Sequence, residues 1–159
     1  PAWRRIWLAG IALLPIVSLG LHWRTADPDD DWQVQAYIHQ ALEPVPADSL
    51  IIVRGDGPTF ALWYGVYAER QRTDVAVVSG PLLAFIWYRE QMRELYPDLI
   101  LNEPTAAEVT IDDLVRDLIA TNMEHQAVYA TDPSDAWRMW FDFSEEGRAP
   151  IYRASVKAP

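Results

Sequence analysis

The chain has 159 residues, half of them apolar, and it carries 13 basic and 23 acidic residues for a formal net charge of −10. This length suits one domain with a buried core, the apolar content is too high for a disordered chain, and the acidic balance disfavours a nucleic-acid-binding protein. Because cysteine is absent, a disulfide framework, a thiolate nucleophile and a cysteine-based zinc site are excluded.

The first predicted element is an apolar segment at residues 6–23, which contains no Asp, Glu, Lys or Arg. As a helix it would be roughly 27 Å long, close to the hydrocarbon thickness of a bilayer. Tryptophans lie near both ends, and Arg4 and Arg5 before the segment predict a cytoplasmic N-terminal end. We therefore expect residues 1–24 to be a transmembrane helix with its flanks, in contact with the lipid bilayer through residues 6–23. A signal peptide and a buried core helix are the alternatives.

An acidic linker is expected at residues 25–31 and an α/β domain at residues 32–159. The aspartates of the linker suit the start of a helix better than a calcium site, because no EF-hand spacing follows them. Since Arg4 and Arg5 are the only charged residues before Arg24, the remainder of the chain has a net charge of −12. The predicted orientation places this acidic domain on the non-cytoplasmic side of the cell membrane.

Strand and helix patterns alternate in the first half of the domain. Residues 50–53 and 75–78 are continuous apolar runs rich in β-branched side chains, which is typical of strands buried on both faces. Each run precedes a segment with helical periodicity, at residues 60–71 and 82–96. This order predicts a βαβ unit with a right-handed crossover.

The second half continues with shorter elements. We expect a short strand at residues 99–101, a helix opened by a capping box at Thr110, a strand at 126–130, and a terminal hairpin formed by 140–143 and 151–156. The predicted fold class is therefore α/β, with one N-terminal transmembrane helix followed by a Rossmann-like three-layer domain that contains a mostly parallel sheet.

The sequence contains no recognisable catalytic or metal-binding motif. The glycine-rich loop at residues 54–59 has neither a dinucleotide fingerprint nor a Walker lysine, and Asp56 would repel a phosphate. Its alternative role is structural, with Asp56 and Thr59 capping the helix that follows. The three histidines lack metal-ligand spacing, and no nucleophile elbow occurs. We predict no catalytic residue, no metal and no cofactor in this chain.

Two aromatic pairs, Trp63–Tyr64 and Trp87–Tyr88, follow the first two predicted strands. Packing of helices on the sheet is the simpler explanation for them. The alternative is a stacking surface for a sugar or a lipid-linked acceptor, or a contact with the rest of a membrane protein.

Three short motifs resemble a known family: G-D-G-P-T-F-A-L-W-Y at residues 55–64, R-T-D-V at 72–75 and L-L-A-F-I-W-Y at 82–88. Their order and spacing are similar to the region after the last membrane spans of a multi-span family, long catalogued as a membrane domain of unknown function. That family includes the protein O-mannosyltransferase of the endoplasmic reticulum. The likeness covers residues 47–88.

The resemblance implies a GT-C-type glycosyltransferase, which takes a sugar from a polyprenyl-phosphate donor on the non-cytoplasmic side of the membrane. In that class the catalytic acidic residue lies in the first extracytoplasmic loop, so no catalytic residue is carried over to this chain. The positions that match the family signature are the predicted binding residues: Asp56, Thr59, Trp63, Tyr64, Arg72 and Asp74.

We therefore expect an accessory or acceptor-recognition domain of a membrane glycosyltransferase. Its expected partners are the remaining transmembrane bundle, a polyprenyl-phosphate sugar donor, and a protein or glycan acceptor. The alternatives are a membrane-tethered Rossmann-like domain that binds a small ligand and a purely structural domain. A pocket lined by Asp56, Thr59 and Arg72 would favour ligand binding, whereas an Arg72–Asp74 pair in a closed surface would favour the structural role.

Overall fold

The computed structural model describes residues 2–26, 32–104, 109–148 and 151–157. The chain divides into two compact units, Pro1–Gln33 and Val34–Pro159. The elements follow in this order: α1 (Ala2–Ala26), α2 (Gln33–Leu42), β1 (Leu50–Val53), α3 (Asp56–Trp63), a π-helical turn (Tyr64–Ala68), β2 (Ala76–Ser79), a 3₁₀ turn (Pro81–Ala84), α4 (Ile86–Leu95), α5 (Ile111–Asn122), β3 (Val128–Ala130), α6 (Asp135–Trp140), β4 (Phe141–Glu145) and β5 (Tyr152–Val156).

The first unit contains α1, which includes the segment predicted to span a membrane. Within the described parts of the chain, no helix combines the length and the apolarity that a bilayer crossing requires. Pro15, Ser18 and His22 interrupt the apolar run, and the His22 ring forms a hydrogen bond with the Ser18 carbonyl oxygen at 2.9 Å. The prediction of a transmembrane helix at residues 6–23 is therefore wrong. The aspartates of the predicted linker, at 27 and 29–31, lie outside the described residues.

The second unit is an α/β domain built on one five-stranded sheet in the order β2-β1-β3-β5-β4. The first three strands are parallel and fully buried, as their continuous apolar sequences predict. β5 pairs antiparallel with both β3 and β4. The sheet is thus mixed and not mostly parallel, because β5 follows β4 in a hairpin and a hairpin can only pair its strands antiparallel.

Helices cover both faces of the sheet. Successive strand residues point to opposite faces, so Leu50 and Ile52 belong to one core cluster and Ile51 and Val53 to the other. The first cluster is completed by α4, α5 and α6, and the second by α2, α3 and the π-helical turn. The α/β class is confirmed, and the β1–α3–β2 segment forms the predicted parallel unit.

Two of the shorter predicted elements have different outcomes. The capping box of α5 is confirmed, because Thr110 Oγ1 accepts from the Asp113 backbone N–H at 3.1 Å and Asp113 Oδ2 accepts from the Thr110 N–H at 3.3 Å. The strand expected at residues 99–101 does not form. The backbone of Ile100 pairs instead with the amide side chain of Asn122, which is fully buried, through bonds of 3.1 and 2.8 Å. A side chain thus takes the place of a neighbouring strand.

The π-helical turn brings α3 against α2 at Gly65. A Cβ atom added to Gly65 would lie 2.5 Å from Ile38 Cγ2, well inside van der Waals contact. Ile38 is fully buried and β-branched, so its side chain has little freedom to move away. Glycine at this position therefore sets the distance between α2 and the helix that follows β1.

We predict that Gly65→Ala destabilises the chain by about 1–3 kcal/mol, because the added methyl overpacks the contact with Ile38. The matched control is Gly57→Ala, where an added Cβ meets nothing within 4 Å. That variant should be neutral or slightly stabilising, since alanine is the better helix former. Urea unfolding of both variants measures the difference, and equal stabilities would contradict the close contact.

Candidate functional site

Strand β2 lies at the edge of the sheet, so alternate residues of it direct their N–H groups away from β1. Tyrosine hydroxyls from α4 and its C-terminal end occupy these positions. The Tyr88 hydroxyl accepts from the Ser79 N–H at 2.7 Å, and the Tyr96 hydroxyl accepts from the Val77 N–H at 3.4 Å. The edge strand is thus closed by side chains.

Burial holds the hydroxyl groups of Tyr88 and Tyr67 at this edge in their neutral form. Burial raises the pKa of Tyr88 to about 12. Tyr67 of the π-helical turn shares a hydrogen bond of 2.7 Å with Tyr96, and burial, followed by that bond, raises the pKa of Tyr67 well above its ordinary value. Groups with such pKa values do not exchange protons near neutral pH, so these tyrosines suit structural hydrogen bonding and not acid–base catalysis.

Trp63 joins the two sides of the sheet at the same edge. It is half-buried and packs against both core clusters. Its ring centroid lies 6.1 Å from that of Phe60 and 6.5 Å from that of Tyr88, so it links α3 to α4. Its Nε1 atom is buried and has no hydrogen-bond partner among the described residues. Of the pair Trp63–Tyr64, the tryptophan therefore has the packing role.

The outer rings of this edge form an exposed apolar surface, which we call the aromatic patch. Its members are at least 47% exposed: Phe60 63%, Tyr64 47%, Phe85 51%, Ile86 64% and Trp87 56%. A chain of ring contacts links the two helices beneath the patch: Phe60 contacts Trp63, Trp63 contacts Tyr88, and the Trp87 ring lies 5.7 Å from Tyr88 and 6.1 Å from Phe85.

The patch was only partly visible in the sequence. The aromatic pairs in the sequence point to Tyr64 and Trp87 as members of a stacking surface, but they do not point to Phe60, Phe85 or Ile86. The available signal was the unbroken apolar run at residues 82–88, because three consecutive exposed apolar residues are unusual on a protein surface that has no binding role.

Arg72 and Asp74 form a closed structural contact. Arg72 donates to both carboxylate oxygens of Asp74 at 2.8–3.2 Å. The rest of its guanidinium donates to the backbone carbonyls of Leu42, Val45 and Pro46 at 2.8–2.9 Å. Arg72 thus caps the end of α2 and fastens it to the turn before β2, and no N–H of its guanidinium is left for a ligand.

The other two polar signature residues lie at the start of α3 and differ from each other. The buried Thr59 donates its hydroxyl proton to the Gly55 carbonyl at 2.7 Å, which is a bond within the helix. Asp56 is exposed in the first turn of α3, whose N-cap Gly55 has no side-chain capping bond, so Asp56 does not cap the helix. Its carboxylate has no partner among the described residues. Arg72, Thr59 and Asp56 therefore do not converge on one pocket.

A concave feature lies elsewhere in the described part of the chain. A groove of about 740 Å³ is formed by the loop before β3 and the β4–β5 hairpin, at the amino end of β3. Its lining includes His125, Glu146 and Arg153. Glu146 accepts from the Tyr129 hydroxyl at 3.0 Å and lies 3.8 Å from Arg153. Within the described part of the chain, no three acidic or histidine side chains are grouped so that they could hold a metal ion.

These features define an α/β domain whose sheet edge is covered by aromatic side chains. Comparison with known proteins also identifies a domain in this part of the chain. The profile of the family described as TMEM260-associated domain 2 matches residues 34–139, so the chain belongs to that family.

Two relatives carry the name protein O-mannosyl-transferase TMEM260. The protein from Mus musculus is 29% identical over 91 residues, which cover 57% of this chain and 13% of the relative. The protein from Dictyostelium discoideum is 25% identical over 91 residues, which cover 53% of this chain and 11% of the relative. The chain therefore matches only a small part of the length of these curated relatives. No solved structure matches it at a significant level.

We predict that Tyr88→Phe destabilises the chain by about 1–3 kcal/mol, because it leaves the buried Ser79 N–H without an acceptor. Tyr64→Phe is the control, since Tyr64 is exposed and its hydroxyl makes no hydrogen bond with the described residues. That change should stay within about 0.5 kcal/mol. Amide hydrogen exchange at Ser79 should accelerate in the first variant only, and unchanged exchange there would contradict the edge contact.

A second prediction concerns pH. The pKa of Asp74 lies below its ordinary value of 3.8, and the largest cause is the hydrogen bonding from Arg72. A carboxylate with a lowered folded-state pKa stabilises the fold above its unfolded pKa, and this stabilisation is lost as the pH falls through the folded value. Asp74→Asn should therefore be less stable than the wild type at neutral pH, and the difference should shrink below about pH 4.

The control for this prediction is Glu90→Gln, since Glu90 is exposed and makes no ion pair with the described residues. Chemical unfolding at a series of pH values gives both differences. A stability difference for Asp74→Asn that stays constant down to strong acid would show that the Arg72 contact does not depend on the carboxylate charge.

Proposed function

We propose that the chain is an accessory, acceptor-recognition domain of a longer glycosyltransferase that resembles the protein O-mannosyltransferases. The observation that carries the proposal is the family match at residues 34–139, together with relatives named as O-mannosyl-transferases. The parent would be a GT-C-type enzyme, taking a sugar from a polyprenyl-phosphate donor on the non-cytoplasmic side of a membrane.

The engagement of the polar signature residues supports a role without catalysis. A catalytic carboxylate needs a poised pKa and access to the reacting atoms. Arg72 holds the pKa of Asp74 below its ordinary value and fixes that carboxylate at a turn, whereas Asp56 is exposed and forms no ion pair with any described residue. The chemistry of sugar transfer would then belong to other parts of the parent protein.

The aromatic patch is the surface best suited to recognition. Exposed tryptophan and phenylalanine side chains dominate binding energetics because they bury a large apolar area at low conformational cost. The patch lies beside the sheet edge that Tyr88 closes, and the Trp87 ring packs edge to face on Tyr88. A side chain that is already packed in this way loses less conformational freedom on binding.

A small-ligand-binding domain is the second candidate, and the groove at the amino end of β3 favours it. A volume of about 740 Å³ is within the range of small-molecule sites, and the Glu146–Arg153 pair offers both signs of charge. Saturation of the groove by a neutral sugar, observed as chemical-shift changes at His125 and Ser155, would favour this reading over the patch.

We predict that Phe60→Ala combined with Trp87→Ala in the full-length protein lowers sugar transfer about tenfold or more, through a raised KM for the acceptor with kcat little changed. The reason is that uniform binding of the acceptor is lost while the reacting groups are untouched. Met139→Ala is the control, because Met139 is 64% exposed and lies outside the patch.

The same experiment separates an accessory role from a catalytic one. The 159-residue chain alone should show no transfer. Transfer by the isolated chain, or full activity of the double variant, would overturn the proposal.

A further inference from the structure

Each helix of the aromatic patch carries an exposed carboxylate one turn away from a patch side chain. Asp56 lies four residues before Phe60 on α3, and Glu90 lies four residues after Ile86 on α4. Residues at this spacing are neighbours on a helix surface. Neither carboxylate forms an ion pair with any described residue. The patch is therefore an apolar surface with an unpaired negative charge on each of its two helices.

Two arginines that adjoin the patch helices in sequence, Arg54 and Arg89, are already engaged. Arg89 follows the patch on α4, but it is buried, and it donates to the Leu83 carbonyl at 2.7 Å and lies 3.5 Å from Glu103. Arg54 precedes α3, and it lies 3.9 Å from Asp132. The unpaired charges that lie one helical turn from patch side chains are therefore both negative, in the same sense as the net charge of the whole chain.

This charge decides between the possible occupants. A phosphate-bearing lipid or an acidic membrane surface would meet the −12 charge of the chain after residue 23 and two unpaired carboxylates. A second copy of the chain would bring the same charge and is disfavoured for the same reason. Cationic side chains, in contrast, are attracted both by the carboxylates and by the faces of exposed aromatic rings.

We propose that the occupant of the aromatic patch is a polypeptide segment in which lysine or arginine alternates with apolar residues. The proposal rests on the proposed function, in which this domain recognises an acceptor, and it names the acceptor class as a basic polypeptide. The apolar residues of the segment pack on Phe85, Ile86 and Trp87. Its cations lie over the Phe60 and Trp87 rings and pair with Asp56 and Glu90.

The test is a titration of the isotope-labelled 159-residue chain with two synthetic peptides that have the same leucine content, one with lysine and one with glutamate at the alternating positions. The lysine peptide should shift the Trp87 indole resonance and the amides of residues 56–64 and 85–91. Its affinity should fall as ionic strength rises, because surface charges are screened by salt. The glutamate peptide should not bind.

Two sets of variants separate the contribution of the aromatic ring from that of the carboxylates. Trp87→Ala should weaken the lysine peptide about tenfold, and Asp56→Asn combined with Glu90→Gln should weaken it about two- to fivefold and flatten its salt dependence. Met139→Ala and Asp142→Asn are controls for an exposed apolar residue and a carboxylate outside the patch, and they should leave the affinity unchanged.

Three outcomes would overturn the proposal: equal binding of both peptides, shifts confined to the groove residues His125 and Arg153, and shifts at the patch caused by a mannose oligosaccharide or by phosphatidylcholine vesicles but not by the lysine peptide. Any of these could occur while the Phe60 and Trp87 variants still lower sugar transfer in the full-length protein. The acceptor class would then be wrong and the accessory role would stand.

Discussion

The closure of the β2 edge by tyrosine hydroxyls is the constraint on which the rest of the domain depends. An edge strand presents unpaired N–H groups, and a free edge invites pairing with another chain. Here Tyr88 and Tyr96 accept from Ser79 and Val77, so the aromatic residues must reach around the strand. Because Tyr88 touches Trp63, the same contact fixes α4 on one face of the sheet relative to α3 on the other.

This constraint explains why aromatic residues occur in adjacent pairs. One member of each pair is needed inside, where Trp63 and Tyr88 pack or accept a hydrogen bond. The neighbouring residue on a helix then points away from the core, which leaves Tyr64 and Trp87 exposed. In each pair, therefore, one aromatic residue packs in the core and its neighbour contributes to the exposed aromatic patch.

Much of the α/β core could be predicted from sequence, because the buried parallel strands are continuous apolar runs and α5 begins with a readable capping box. Three features could not. The strand order places β5 between β3 and β4, which local patterns do not encode. The Asn122 side chain replaces a strand at Ile100, and a lone asparagine carries no signal for this. The segment at residues 6–23 contains no charged residue, but it does contain polar residues and a proline. No described helix has the length and the apolarity that a membrane span requires.

For the candidate site, the sequence identified residues but not their roles. The sequence offers the Arg72–Asp74 pair only as the alternative to a ligand site, and the structure contains this pair. It also shows that the rest of the Arg72 guanidinium donates to backbone carbonyls at the end of α2. The sequence predicts one helix over residues 82–96, whereas the structure has a 3₁₀ turn at Pro81–Ala84 and an extended Phe85 before α4, with Phe85 and Ile86 exposed. A change of helix type alters which residues face solvent, and the side-chain pattern of the sequence does not predict such a change.

The central claim is that the exposed rings on the covered sheet edge contact the partner polypeptide. Photo-crosslinking in the full-length protein tests this contact, with p-benzoylphenylalanine placed at Trp87, which is 56% exposed, and, as a control, at Met139, which is 64% exposed. We expect a covalent adduct with the acceptor polypeptide from position 87 and none from position 139. Adducts of equal yield from both positions, or from position 139 alone, would contradict it.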